Sequence, residues 1–277
     1  MKPLDSTYGN DRIDGFTFGS GRQVLIMLHA SGTGAGSLIP LATRAAETGW
    51  RVLVPNLDGY GGTRIRDGAG HAMQRHERVV RHLLQGLDAA PTVFGHSMGG
   101  LLALRLASAR SDDSSAPFRT LTVVEPVAMG VLREYREDQP IVRIDEAAID
   151  RISPLMRAGK PEEAIRDFIT LWNGVDWDTI PDKVRAGIVA LAPQIDAETS
   201  SVRHDAGWAA RYSRISVPVK LAGTERGPAP AARILDRLQR AIPNVRRVLV
   251  AGAGHMGPVQ QPDLFHALLP RLPATGR

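Results

Sequence analysis

The chain has 277 residues, no cysteine and a formal net charge of +5. The absence of cysteine excludes disulfides, thiolate metal sites and a cysteine nucleophile. Thirty of the 34 basic residues are arginines, but they are scattered and lack interleaved aromatic residues, so we expect no nucleic-acid partner.

The N-terminal region and the apolar runs bear on cellular location. The first fifteen residues lack the apolar stretch of a signal peptide. The longest aliphatic run, from Val24 to Leu28, is far too short to cross a bilayer. We therefore expect a cytoplasmic protein that does not associate with membranes.

Short apolar runs alternate with amphipathic segments along the chain. The patterns predict strands at 15–18, 23–28, 51–55, 92–94, 119–126, 217–223 and 247–250. They predict helices from 38 to about 49, over 70–88, after 97, over 228–242 and near 261–270. Strands that alternate with helices form a mostly parallel sheet covered by helices on both faces. The predicted fold class is therefore α/β, and the length suits one large domain.

The stretch from Phe94 to Gly100 places a serine between a strand and a helix. Glycines stand two positions before and two positions after Ser97, which gives the pattern G-x-S-x-G. A sharp turn from strand to helix strains the serine backbone and lifts its hydroxyl clear of the sheet. The unpaired N–H groups at the start of the helix would face negative charge that forms there. The pattern predicts that Ser97 is a nucleophile.

The block from about 127 to 214 differs from the rest of the chain. Helical patterns cover 144–158, 161–173, 181–192 and 198–212, and no convincing buried strand appears. Three of the four tryptophans also lie in this block. Because sheet patterns resume after it, we predict a helical cap, residues 127–214, inserted in a core of residues 1–126 and 215–277. A cap over Ser97 would exclude water and shape the pocket.

A serine hydroxyl needs a base within hydrogen-bond reach, and the base needs an orienting acid. His255 is the best candidate for the base, because it follows a late strand in a Gly-x-Gly-His loop. His71, His76 and His82 lie on a predicted helix that we interpret as surface-like, at spacings that do not fit metal ligands. The histidines ranked below His255 are His71, His76, His82, His96, His204 and His266.

Together these segments resemble the α/β-hydrolase superfamily, in its serine-nucleophile branch with a helical cap. The resemblance covers nearly the full length, and the matching segments are Leu28–Ser31, Pro55–Gly61, Gly95–Gly99 and Gly252–His255. It implies an α/β-hydrolase fold and an oxyanion hole formed by the backbone N–H groups of Ser31 and Met98. It also makes four residues candidates for lining a substrate pocket: His29, Ala30, Trp172 and Met256.

The chain departs from the family pattern at two places. Asn56 stands where the family usually has aspartate after the fourth strand, and we expect only a local structural effect. The acid usually follows the seventh strand as G-x-x-D, but Arg226 occupies that position here. We therefore rank Glu125, at the end of the sixth strand, first as the triad acid, and Glu225 second.

This interpretation predicts an esterase-like serine hydrolase for a small-molecule acyl substrate, without a cofactor or a metal ion. Ester, thioester and lactone hydrolysis all fit, as do carbon–carbon bond hydrolysis and acyl transfer on the same fold. The chain has no H-x-H or H-E-x-x-H spacing. Substrate identity and oligomeric state do not follow from these patterns.

Two other classes of protein fit the sequence less well. A dinucleotide-binding protein would need G-x-G-x-x-G after the first buried strand, but Ser37 replaces the last glycine and no acidic residue ends the next strand. A non-catalytic binding module on a hydrolase scaffold would not need both Ser97 and His255. Both observations favour the enzyme.

Overall fold

The computed structural model describes residues 1–66, 70–109, 116–203 and 208–272. His204 lies outside these ranges. Eight strands form one sheet in the described residues: Lys2–Tyr8 (β1), Asp11–Phe18 (β2), Val24–Leu28 (β3), Arg51–Pro55 (β4), Thr92–His96 (β5), Thr120–Val124 (β6), Val219–Arg226 (β7) and Val245–Gly254 (β8).

The α-helices of the described residues fall into two groups. Those that alternate with strands are Ile39–Glu47 (α1), Ala72–Gln85 (α2), Met98–Ser108 (α3), Ala229–Ala241 (α10), Gly257–Gln260 (α11) and Pro262–His266 (α12). Those between β6 and β7 are Gln139–Asp150 (α4), Ile152–Arg157 (α5), Pro161–Asn173 (α6), Asp182–Ala190 (α7), Ala192–Val202 (α8) and Trp208–Tyr212 (α9). None of the described helices combines the length and apolar character needed to cross a bilayer.

The strands follow the order β1-β2-β4-β3-β5-β6-β7-β8 across the sheet. Strands β3 to β8 pair in parallel, whereas β1 and β2 form an antiparallel hairpin that joins the sheet at β4. The α/β fold with a mostly parallel sheet is thus as predicted. Strand β1 was not predicted, because its exposed positions alternate with half-buried ones and it has no continuous apolar run.

Alternate residues of each central strand pack on opposite faces of the sheet. Ile26 and Val93 belong to the core beneath α2, α3 and α10, whereas Met27 and Phe94 belong to the core beneath α1 and α12. This alternation follows from the strand pleat, which directs successive side chains to opposite faces. Because the buried strands are apolar on both faces, they appear in the sequence as continuous apolar runs.

Residues 127–214 contribute no strand to the sheet in their described part. The helices predicted at 161–173 and 181–192 agree closely with α6 and α7. The pattern at 144–158 is instead two helices, α4 and α5, which begin earlier, and the pattern at 198–212 covers the end of α8, all of α9 and residues outside the described ranges. Two arginines of α10 bind the buried carboxylate of Asp138 at the start of this segment, with 2.6 Å between Arg237 Nε and Asp138 Oδ2. We refer to residues 127–214 as the inserted segment.

Asn56 has the local structural effect expected from the sequence. Its Oδ1 accepts a hydrogen bond from the N–H of Ala35 at 2.8 Å, and its Nδ2 donates to Asp14 Oδ1 at 2.9 Å. The Asp14 carboxylate also accepts from the N–H of Gly62 at 2.8 Å. An aspartate at position 56 would face this carboxylate, so the amide suits a chain that has Asp14 on β2.

We expect Asn56→Asp to destabilise the fold by about 1–3 kcal/mol at neutral pH, because one buried hydrogen bond becomes a contact between two carboxylates. Urea denaturation at pH 7 measures the loss. The penalty should shrink as the pH falls toward about 4, because two carboxyl groups in contact take up a proton more readily than either does alone. Combining Asn56→Asp with Asp14→Asn should recover stability, since the donor and acceptor are exchanged. An unchanged urea midpoint for Asn56→Asp would contradict this account.

Candidate active site

Ser97 lies in a strained turn between β5 and α3. Its backbone angles are φ 53° and ψ −112°, outside the regions that L-residues readily adopt. A Cβ atom on Gly95 would lie 2.5 Å from the carbonyl oxygen of Gly99, and one on Gly99 would lie 2.3 Å from that of Leu28. The two glycines are therefore required by backbone contact, as the spacing predicts.

His255 follows the end of β8 and reaches Ser97 across the edge of the sheet. Its Nε2 lies 3.2 Å from Ser97 Oγ. His96 was ranked low as a candidate, yet it supports this arrangement: its Nε2 lies 2.8 Å from the carbonyl oxygen of His255. Burial, together with the nearby His255, holds the pKa of His96 well below 6.5, so the neutral ring donates this hydrogen bond.

Glu125 follows the end of β6 and contacts the other side of the His255 ring. One carboxylate oxygen, Oε2, lies 2.8 Å from His255 Nδ1. The other, Oε1, accepts from the N–H of Thr224 at 2.7 Å and from its hydroxyl at 2.5 Å. A Cβ atom on Gly227 would lie 2.1 Å from this oxygen, so the glycine leaves room for the carboxylate. The contact predicted between Glu125 and His255 is present.

Glu225, the alternative acid, points away from His255. Its exposed carboxylate accepts from the N–H of Gly252 at 2.7 Å. The pairing of β7 with β8 is irregular between Thr224 and Arg226, and such a bulge redirects the side chain at that point. Thr224, which precedes Glu225 on β7, donates its hydrogen bonds to Glu125.

Strain is concentrated at two of these residues. Among the described residues, Ser97 and Glu125 are the only non-glycine residues with positive φ, at 53° and 42°. Both come at the carboxyl ends of neighbouring parallel strands, where functional groups of such sheets gather. Backbone strain at these two places indicates a site whose geometry is imposed by the surrounding fold.

Two backbone N–H groups near Ser97 are available to bind a negatively charged oxygen. Neither Ser31 nor Met98 donates its backbone N–H to any partner in the described part of the chain. The N–H of Gly99 donates to the carbonyl oxygen of His29 at 3.1 Å, which ties the loop after β3 to the turn at Ser97. An oxyanion hole formed by Ser31 and Met98 stays a prediction.

His29 does not have the pocket-lining position expected from the sequence. It is fully buried, its Nε2 accepts from the N–H of Leu57 at 3.0 Å, and its Nδ1 lies 2.8 Å from the carbonyl oxygen of Ala30. Burial lowers the pKa of His29 to about 4, which keeps the ring neutral. Because both nitrogens bind backbone groups, His29 holds the loop in place.

The remaining pocket candidates differ in their positions. The ring of Trp172 on α6 lies 5.7 Å from that of His255, and the indole N–H donates to Asp145 Oδ1 at 3.0 Å. Met256, which follows His255, is half-buried, and Ala30 is buried. Ser97 is only 5% exposed and His255 only 2%, and Trp172 of the inserted segment is one of the side chains beside His255.

No group of three or more His, Asp or Glu side chains among the described residues could hold a metal ion. The groups that converge on Ser97 are a hydroxyl, an imidazole, a carboxylate and backbone N–H groups. A hydroxyl, an imidazole and a carboxylate in one hydrogen-bonded series are the groups that nucleophilic catalysis by serine uses.

A model of the Alpha/beta hydrolase family matches residues 25–268 of the chain. The match covers most of the sequence, so the chain belongs to this family. A curated relative, protein phosphatase methylesterase 1 of Bos taurus, is 28% identical over 187 residues, which are 66% of this chain and 43% of the relative. The chain thus spans less than half the length of that relative.

Two solved structures show the same fold at low sequence identity. A thermophilic esterase from Thermogutta terrifontis has a TM-score of 0.73 and 17% identity, with 97% of this chain and 96% of that chain covered. A bromoperoxidase from Bacillus anthracis has a TM-score of 0.71 and 15% identity, with 96% of this chain and 98% of that chain covered. Their different names illustrate that the fold alone does not define the reaction.

The buried carboxylate of Asp145 affects how the stability of the protein depends on pH. It is buried, its Oδ2 has no hydrogen-bond partner among the described residues, and burial raises its pKa from 3.8 to about 6 despite the bond from Trp172. A raised pKa means that the folded state loses stability as the pH rises from about 4 through 6. We expect Asp145→Asn to stabilise the protein by about 1–3 kcal/mol at pH 7, since asparagine keeps the acceptor and removes the charge.

Urea denaturation between pH 4 and 8 tests this, and the difference from the wild type should vanish near pH 4. Asp138→Asn is the matched control, because Asp138 is equally buried but binds two arginines. It should destabilise the protein at pH 7. A loss of stability in Asp145→Asn at pH 7 would overturn the prediction.

Proposed function

We propose that this protein is a serine hydrolase that cleaves a carboxylic ester of a small molecule through an acyl-enzyme. The hydrogen-bonded chain from Ser97 Oγ through His255 to Glu125 is the observation that carries the proposal. The name of the curated methylesterase relative supports an ester substrate.

The first half of the reaction forms the acyl-enzyme. Ser97 Oγ attacks the ester carbonyl carbon, and its proton passes to His255 Nε2. The carbonyl oxygen becomes an oxyanion that the N–H groups of Ser31 and Met98 stabilise. Collapse of this intermediate breaks the bond to the alkoxy group, which takes the proton from His255 and leaves as the alcohol.

The second half releases the acid. A water molecule gives a proton to His255 Nε2 and attacks the acyl carbon, and the acid leaves when Ser97 recovers its proton. Glu125 accepts the hydrogen bond from His255 Nδ1, which fixes the imidazole tautomer, and stabilises the imidazolium at each step. The Thr224 bonds keep the carboxylate in place.

We propose that the inserted segment is a cap that encloses the ester. The low exposure of Ser97 and the Trp172 ring beside His255 support this role. A closed cap excludes bulk water, which strengthens each electrostatic contact, and it must open for substrate entry and product release.

Ser97→Ala should abolish labelling by a fluorophosphonate and lower kcat by several orders of magnitude on p-nitrophenyl esters, because it removes the nucleophile. Esters of graded acyl length identify a substrate for the assay, and circular dichroism checks that the fold persists. Wild-type turnover in Ser97→Ala would disprove the assignment. Absence of labelling in the wild type would favour a binding module instead.

Glu125→Gln should lower kcat by about 10⁴, as expected when a triad acid becomes an amide that no longer fixes the imidazole tautomer. Glu225→Gln is the control on the neighbouring strand, and it should retain kcat within about threefold because its side chain faces solvent and Gly252. The same p-nitrophenyl ester assay compares the two variants. Equal effects of the two changes would refute the role given to Glu125.

A further inference from the structure

One neighbour of the His255 ring comes from the inserted segment. The ring of Trp172 on α6 lies 5.7 Å from the imidazole, measured between ring centroids, and the two planes are tilted by 49°. The indole N–H does not bind the imidazole, because it donates to Asp145 Oδ1 on α4 at 3.0 Å. Trp172 therefore contacts His255 through the π electrons of its ring. Both residues are buried, which excludes bulk water from this contact.

The carboxylate that holds the indole differs from other buried carboxylates of the inserted segment. Asp138 binds two arginines, and Glu198 Oε1 on α8 lies 3.1 Å from His76 Nε2 on α2. His76 is itself fully buried, so the surface position expected for this residue was wrong. Asp145 has no such partner: its only side-chain hydrogen bond among the described residues comes from Trp172.

A second buried indole of the inserted segment provides a comparison. Trp177 donates its N–H to Glu162 Oε1 at 2.9 Å, and the carboxylate of Glu162 is exposed to solvent. Asp145 is buried instead, and burial raises its pKa to about 6. The bond to Trp172 thus carries a desolvation cost that the bond to Trp177 avoids. Because Trp172 is the indole that contacts a histidine of the candidate site, the costly bond serves that contact.

The charged groups around His255 leave its Trp172 side to the indole. Glu125 on the β6 side binds Nδ1 at 2.8 Å. The His96 ring from β5 lies 5.1 Å away, and burial with the nearby His255 holds the pKa of His96 well below 6.5, so it carries no charge. Two exposed residues of β7, Glu225 and Arg226, bind backbone groups of β8.

Trp172 offers the imidazolium an attraction that the neutral ring does not have. In the proposed reaction His255 becomes positively charged when it takes the proton of Ser97. A cation within about 6 Å of an indole centroid is attracted by the π electrons, and more strongly where water is excluded. An interaction that appears together with the charge stabilises the transition state more than the ground state.

We propose that Trp172 and Asp145 are positioning residues for His255: Asp145 fixes the indole, and the indole stabilises the imidazolium. Helices α4 and α6 of the inserted segment therefore contribute to proton transfer, besides enclosing the substrate. The inference rests on the proposed function, since it needs His255 to act as the base.

The pH dependence of kcat/KM on a p-nitrophenyl ester tests the role of the indole. Trp172→Leu and Trp172→Phe are compared in the Asp145→Asn background, so that titration of Asp145 near pH 6 does not enter the profile. The acidic limb reports the catalytic base of the free enzyme. Trp172→Leu should move it to lower pH by about 0.5–1.5 units, because the imidazolium loses the cation–π attraction. Trp172→Phe keeps an aromatic ring and should move it less.

Asp145→Leu and Asp145→Asn, each made alone, test the role of the carboxylate. Asp145→Leu removes the acceptor that holds the indole, so it should move the acidic limb in the same direction as Trp172→Leu. Asp145→Asn is the conservative variant, which keeps an acceptor and should restore most of the shift. Equal shifts in the two would mean that the charge of Asp145 acts on His255 directly, and would overturn its role as a positioning residue.

Trp177→Leu is the matched control, because it removes a buried indole of the inserted segment that is bonded to a carboxylate but does not contact His255. It should lower the melting temperature, retain kcat/KM within about threefold and leave the acidic limb in place. Should Trp172→Leu fail to fold, Trp172→Phe and Asp145→Leu still test the proposal, since each makes a smaller change at this contact.

An unmoved acidic limb in Trp172→Leu, or an equal movement in Trp177→Leu, would overturn the inference. A change confined to KM or to the preferred acyl length would also overturn it, because Trp172 would then only line the substrate pocket. Fluorophosphonate labelling of the wild type separates these failures from failure of the proposed function. A labelled wild type with an unmoved limb in Trp172→Leu refutes only the role of the indole, whereas a wild type without labelling refutes the hydrolase itself.

Discussion

The hydrogen-bonded chain from Ser97 through His255 to Glu125 depends on three strands that end at one edge of the sheet. Strands β5 and β6 are paired neighbours, and they deliver the two residues with positive φ, Ser97 and Glu125. Strand β8 is separated from β6 by β7, so the imidazole must reach back across Thr224. Thr224 donates two hydrogen bonds to Glu125, so this intervening strand itself orients the acid.

Local patterns predicted the parts of the site that a single segment determines. The turn at Ser97 could be predicted because Gly95 and Gly99 are needed by backbone contacts within that segment and with β3. Glu125 could be ranked above Glu225 because strand ends share an edge, and because Arg226 occupies the usual acid position. The contact with His255 joins residues 130 positions apart, so only the assembled sheet gives its distance.

Contacts between segments distant in the chain were the part that sequence could not predict. His76 lies on the amphipathic helix α2 among many charged neighbours, and nothing local indicates that α8 covers it. The same holds for Trp172, whose partner Asp145 lies on another helix of the inserted segment. Strand β1 was missed for a different reason, since an exposed edge strand has no apolar run. For Asn56, the sequence showed the departure from the family pattern, but it did not show the hydrogen bond from Asn56 to Asp14.

The polar contacts of the inserted segment are better explained by positioning than by stability. The buried hydrogen bond between Glu198 and His76 contributes little net free energy, because desolvation of the carboxylate offsets the attraction. Asp145 destabilises the folded state at neutral pH, since burial raises its pKa. Yet Asp145 accepts a hydrogen bond from Trp172, whose ring lies 5.7 Å from that of His255. An apolar interface would bury these helices at least as favourably, but it would not fix their relative positions. Directional hydrogen bonds such as this one hold the helices of the inserted segment in one arrangement and keep Trp172 beside His255.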